Sequence, residues 1–166
     1  MNSMEGSGRT LVSLIRAEPE TCAPMKRIVV AAKAGADQPW LADAAANLAE
    51  ELGADVAVVS MDGLELEALS TLPRAELAKG AEGAARQVAE RIAGAGVTVA
   101  AEHRAGPVVR GILVFAEEQE ADLIVVGATG RGRVARLLGT VTTRLVERSR
   151  RPVLVITPPA DSHPPT

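Results

Sequence analysis

The residues best placed to do chemistry lie in one segment, Gly127–Val141, which reads GATGRGRVARLLGTV. Glycines let backbone N–H groups approach an anion that side chains would otherwise block. Thr140 stands where it can cap a following helix, and a helix N-terminus favours negative charge by about 0.3–1 kcal/mol. Arg131, Arg133 and Arg136 add positive charge to the same stretch. The pattern suits a phosphate-bearing ligand. Its bland alternative is a flexible Gly/Arg loop with a solvated basic face.

Other chemistry finds little support. His103 ends a predicted strand, His163 lies in a proline-rich tail, and Cys22 has no base near it in sequence. No G-x-S-x-G or H-E-x-x-H occurs. Asp122 and Glu102 read as ordinary strand-end charges, so no acid–base pair stands out and no metal set is expected. A Walker-type loop is absent, because Lys26, Lys33 and Lys79 are the only lysines. Gly130-Arg-Gly132-Arg-Val-Ala135 matches G-x-G-x-x-A, but after the fourth strand and with no acidic partner at the required distance, so the dinucleotide reading is weak.

Positioning such a loop takes a scaffold, and the chain between Met25 and Thr157 supplies an alternating one. Arg27–Ala32 is a short apolar run, as expected of a strand buried on both faces. Leu41, Ala45, Leu48 and Leu52 mark a helix that Gly53 stops. Asp55–Ser60 is a second strand, Met61–Leu72 an ambiguous loop, and Pro73–Ile92 a long helix. Val97–Ala101 is strand three, Pro107 opens the third helix, Asp122–Val126 is strand four, Val141–Arg150 the last helix, and Pro152–Ile156 strand five. Strands joined by crossover helices require an α/β fold with a parallel sheet and helices on both faces. Ligands in such folds bind beyond the carboxyl ends of the strands. Ala31–Gly35, Ser60–Gly63, His103–Gly106 and the segment from Gly127 onward are therefore the ends to watch.

Composition bounds the rest. The 166 residues suit one domain, 25–157, between an N-terminal tail or extension (1–24) and a Pro-rich tail (158–166). With one Trp, one Phe and no Tyr, the core is built from Ala, Val, Leu and Ile, and the composition argues against stacking of bases on aromatics as a mode of nucleic-acid binding. The net charge of −3 gives no general attraction to nucleic acid or an anionic membrane. A single cysteine excludes an internal disulfide. The run Leu11–Ile15 is too short for a signal peptide, and a transmembrane helix needs about 20 apolar residues, so a cytoplasmic location is expected.

The stretches ADLIVVGATGRG, LLGTV and RSRRPVLVI, with Gly106-Pro107 before the third helix, resemble the universal stress protein family over about residues 25–157. The resemblance implies an open five-stranded parallel sheet of strand order 3-2-1-4-5, Rossmann-like, with the switch point between strands one and four. It implies an ATP or AMP site, with magnesium only where ATP is bound. Gly127 and Gly130, flanked by Val126 and Arg131, would shape the phosphate and ribose end. Gly139, Thr140 and Val141 would offer donors to the phosphates, and Ala31, Ala32 and Lys33 would lie at the adenine end. It further implies a homodimer through strand five, Val153, Leu154, Val155 and Ile156, whose apolar edge invites pairing.

Two positions depart from the family's pattern. Arg131–Leu138 is one residue shorter than the corresponding loop, which in a helix would rotate the residues beyond it by about 100°. Lys33 stands where nucleotide-binding members usually carry aspartate. The reading is a sensor or regulator that binds adenine nucleotide. A nucleotide-free dimeric interaction module and a slow ATP hydrolase are its rivals.

Overall fold

The computed structural model describes residues 12–14, 24–63, 73–128 and 139–159. In chain order these form β1 (Val12–Leu14), β2 (Arg27–Ala32), α1 (Pro39–Leu52), β3 (Asp55–Asp62), α2 (Arg74–Gly94), β4 (Val99–Ala105), α3 (Val108–Glu118), β5 (Leu123–Gly127), α4 (Thr140–Arg148) and β6 (Val153–Ile156). The sheet runs β1-β6-β5-β2-β3-β4. The five strands β2 to β6 are mutually parallel and stand in the expected 3-2-1-4-5 order.

The apolar runs become central strands because both of their faces are covered. On one face Ile28, Val30, Val56, Val58 and Val125 pack against Leu41 of α1 and Val88 and Ile92 of α2. On the other, Val29, Val59, Ile124, Val126 and Val155 pack against Ile112 and Phe115 of α3 and Leu145 of α4. Each fully buried Val, Leu or Ile contributes about 1.5–3 kcal/mol, so these two layers dominate the fold's stability. Alanines at 42, 45, 46 and 49 let α1 lie close to the sheet. Gly53 ends α1 as expected, left-handed at φ 61, with its cap N–H directed to Ala49 and Glu50 oxygens. At the opposite end of the sheet, Asp122 Oδ2 accepts the N–H groups of Lys26 (2.8 Å) and Arg27 (3.0 Å), which ties the start of β2 to β5.

Three expectations need correcting. β3 continues through Met61 to Asp62, so part of the supposed loop is strand; residues 64–72 lie outside the described residues. β4 spans Val99–Ala105 rather than 97–101 because it follows β3 rung by rung as far as Asp62↔Ala105. An edge strand tolerates Glu102 and His103, since it need not bury both faces. Finally, β6 is not a free edge. Val12–Leu14 pairs antiparallel with it, Val12↔Val155, Ser13↔Leu154 and Leu14↔Val153, so part of the supposed N-terminal tail is strand.

Candidate functional site

The register aligns residues at or near the carboxyl ends of five strands. Ser60 pairs with Ala32 on one side and His103 on the other, and Gly127 pairs with Ile156. Ala31 pairs with Val126, which sets Ala32 and Gly127 on the next rung. Ser60, Ala32 and Gly127 thus form the final row of small residues at the point where the winding reverses. Two strand spacings of about 4.8 Å put the ends of that row roughly 10 Å apart. Ala32 and Ile156 belong to the α1 layer, so this row opens toward α1.

The loop leading into α1 covers part of the row. Gln38 is buried, and its Oε1 accepts the Lys33 N–H at 2.9 Å. Its carbonyl takes the N–H groups of Leu41 and Ala42, so the residue is held from both ends. Trp40 reaches over Gly127. A Cβ on that glycine would lie 2.6 Å from the indole Cη2 and 2.7 Å from Gln38 Nε2. Gly127 therefore lacks a side chain because Trp40 and Gln38 occupy its space. Sequence reading missed both residues: a Gln before a helix and a Trp at its start belong to no motif that marks a site.

Beyond β5 the chain returns at Gly139. Thr140 does not cap the helix: Gly139 takes the N-cap position with φ −57 and ψ 162, no side chain caps it, and Thr140 is the first helical residue. The helix starts one residue early because the Gly139 carbonyl already accepts from Thr143 N–H at 3.0 Å. The N–H groups of Thr140, Val141 and Thr142 consequently have no intrahelical acceptor. They form the positive end of α4. Thr140 is exposed, whereas Val141 packs on the α3 and α4 layer.

Of the expected site residues, the structure gathers Ala32, Lys33 and Gly127 at the winding reversal. Ala31 and Val126 are buried with their side chains in the α3 and α4 layer, so only their backbones could serve a ligand. The Lys33 side chain is exposed. Gly130 and Arg131 lie outside the described residues. Two further polar residues stand at the end of β3. Ser60 Oγ and Asp62 Oδ1 are buried without a hydrogen-bond partner among the described residues, with Ser60 wholly inaccessible and Asp62 at 9 % exposure. The signal available in sequence was a hydroxyl and a carboxylate at alternate positions closing an apolar strand.

Charged groups elsewhere brace the scaffold. Arg91 grips Asp43 with two hydrogen bonds, joining α2 to α1, and that pairing raises the Arg91 pKa. Arg104 bridges Glu102 and Glu118 and lies 4.8 Å from the Phe115 ring centroid. Its pKa is raised first by the Glu102 bond. A groove of about 510 Å³ between α1 and α2, lined by Asp37, Gln38, Pro39 and Arg91 among others, reaches the buried Gln38 from outside. Among the described residues no group of three or more His, Cys, Asp or Glu could hold a metal ion. No helix there is long and apolar enough to cross a membrane.

The model of the universal stress protein family matches residues 24–157, nearly the whole of the sheet and its helices. The chain belongs to that family. This universal stress family member is 34% identical over 122 residues to a universal stress protein of Methanocaldococcus jannaschii, spanning 69% of this chain and 72% of the relative. Its fold resembles that of UspA from Lactobacillus plantarum, with TM-score 0.65, 25% identity and coverage of 81% and 99% of the two chains. A universal stress protein solved in complex with cAMP gives TM-score 0.62 at 25% identity, covering 80% of this chain and 97% of that one. The Archaeoglobus fulgidus protein in complex with dAMP shares the fold at TM-score 0.58 and 21% identity, covering 81% and 99%.

Proposed function

We propose that this universal stress family member binds an adenine nucleotide, ATP or AMP, and acts in the cytoplasm as a sensor or regulator rather than as a fast enzyme. The observation that carries the reading is the start of α4. Three backbone N–H groups without intrahelical acceptors sit behind Gly139 at the carboxyl side of the sheet, one connection after Gly127. A helix terminus of this kind favours a phosphate. The base and ribose would extend along the row toward Ala32 and Ser60, and magnesium would enter only with ATP. Relatives of the same fold solved with cAMP and dAMP support an adenosine phosphate as the ligand class.

A second reading draws on Gln38 and Trp40. Because the Lys33 N–H is taken and Gly127 is covered, the chain is also suited to being a nucleotide-free interaction module. Either way, the apolar strand β6 would pair two copies into a homodimer wherever β1 does not occupy its edge. Titration calorimetry with ATP and AMP at millimolar ligand separates the readings. Heat of binding, with a change in the emission of the chain's single tryptophan, supports the nucleotide reading; no heat from either nucleotide removes it.

A further inference from the structure

The two edges of the sheet are protected in different ways. On β4 the exposed residues include Glu102 and His103, charged or polar groups that discourage another strand from pairing. On β6 the sequence Val153-Leu154-Val155-Ile156 has no such guard, and β1 lies along it instead. Among the described residues β1 pairs with no other strand, so of the sheet's ladders its departure would break one, three residues long. Residues 15–26 separate it from β2 and can extend to roughly 40 Å, well beyond the three strand spacings of about 4.8 Å to be crossed.

The direction of β1 is the informative point. It runs antiparallel to β6 in a sheet whose other strands are parallel. A second copy related by a two-fold axis would present its own β6 antiparallel to this one. β1 and that second β6 would therefore use the same row of N–H and C=O groups, in the same strand direction. They cannot both be bound.

We propose that β1 is a built-in competitor for the β6 edge: docked, it keeps the chain monomeric, and released, it lets two copies pair β6 to β6. The proposal rests on the dimer reading above and adds its control. A cap closed nine times in ten weakens each copy's pairing about tenfold, and hence that of the two together about a hundredfold.

The test keeps the full chain and compares wild type with Ser13→Pro by sedimentation velocity at tens of micromolar. Proline at the middle rung removes an N–H and disfavours the ladder. The wild type should be mainly monomeric and Ser13→Pro mainly dimeric, with dimerisation at least tenfold tighter. Adding Leu154→Lys to Ser13→Pro should restore the monomer, because like charges would meet across the two-fold pair. Equal dimerisation of wild type and Ser13→Pro would overturn the control by β1 and leave the dimer reading standing. Two monomers would overturn both. Should Ser13→Pro lose its far-ultraviolet dichroism, hydrogen exchange on the wild type decides. Protection at Val12–Leu14 must fall as concentration rises while Val153–Ile156 stays protected, and constant protection at Val12–Leu14 overturns the proposal.

Discussion

The indole of Trp40 lies over the backbone of Gly127, so close that a Cβ on the glycine would stand 2.6 Å from Cη2. The contact joins the start of α1 to the end of β5 across the point where the winding of the sheet reverses. The glycine is the residue that gives the ring its place.

Gly127→Ala tests that contact. The added methyl must push aside Trp40 and Gln38, which should cost about 1–3 kcal/mol as an overpacking change. Tryptophan emission should shift to longer wavelength as the ring moves toward water, and nucleotide affinity should fall. Urea unfolding monitored at the same emission reads both effects. An unchanged midpoint and an unchanged spectrum would show that the ring does not depend on Gly127.

Gln38→Ala removes the acceptor of the Lys33 N–H. Loss of one such hydrogen bond should lower stability by about 0.5–1.5 kcal/mol. It also frees a backbone donor at the end of β2 and uncovers one side of Gly127. Under the nucleotide reading, ATP should bind the variant several-fold more tightly than the wild type, despite the lower stability. Calorimetry and thermal unfolding on the same preparation check the two directions together; weaker binding would instead make Gln38 part of the ligand's own contacts.

Lys33→Asp addresses the exposed side chain at the same strand end. A carboxylate there would accept a hydrogen bond from the ligand, worth about 1.5–3 kcal/mol, and should tighten adenine nucleotide binding by about tenfold or more. If Lys33 instead contacts a phosphate, the substitution should weaken binding, and the wild type should show the steeper salt dependence. Titrating ATP against both proteins at two salt concentrations separates these outcomes, and equal affinities would defeat both.

Ser60→Ala should stabilise the protein. The Ser60 hydroxyl is wholly buried and has no partner among the described residues, so it bears a desolvation cost that a methyl group escapes. A gain of about 1 kcal/mol in denaturant unfolding is expected, without a change in slope. A loss of that size would mean that a donor or acceptor reaches the hydroxyl in solution.

Local pattern determined much of this protein. The run Arg27–Ala32 reads as a doubly buried strand because its neighbours in sequence are apolar, and it forms with those bounds. Gly53 stops α1 because it alone adopts the left-handed turn there without strain. The alternation of such strands with helices fixed a parallel sheet, and the motif around Gly127 pointed to the family. Strand order followed from that resemblance rather than from periodicity.

Tertiary structure decided what joins residues distant along the chain. Ser60, Ala32 and Gly127 share one rung because the pairing of β3 and β5 with β2 sets them in register, and no local spacing encodes that. Trp40 covers Gly127 because α1 packs beside β5, which turned a loop residue and a helix residue into part of the site. Thr140 looked like a cap, but backbone geometry at Gly139 had already begun the helix. Val12–Leu14 carries too few residues to show a period. Its conformation comes from the unpaired N–H and C=O groups that β6 offers, and those exist only once the sheet has formed.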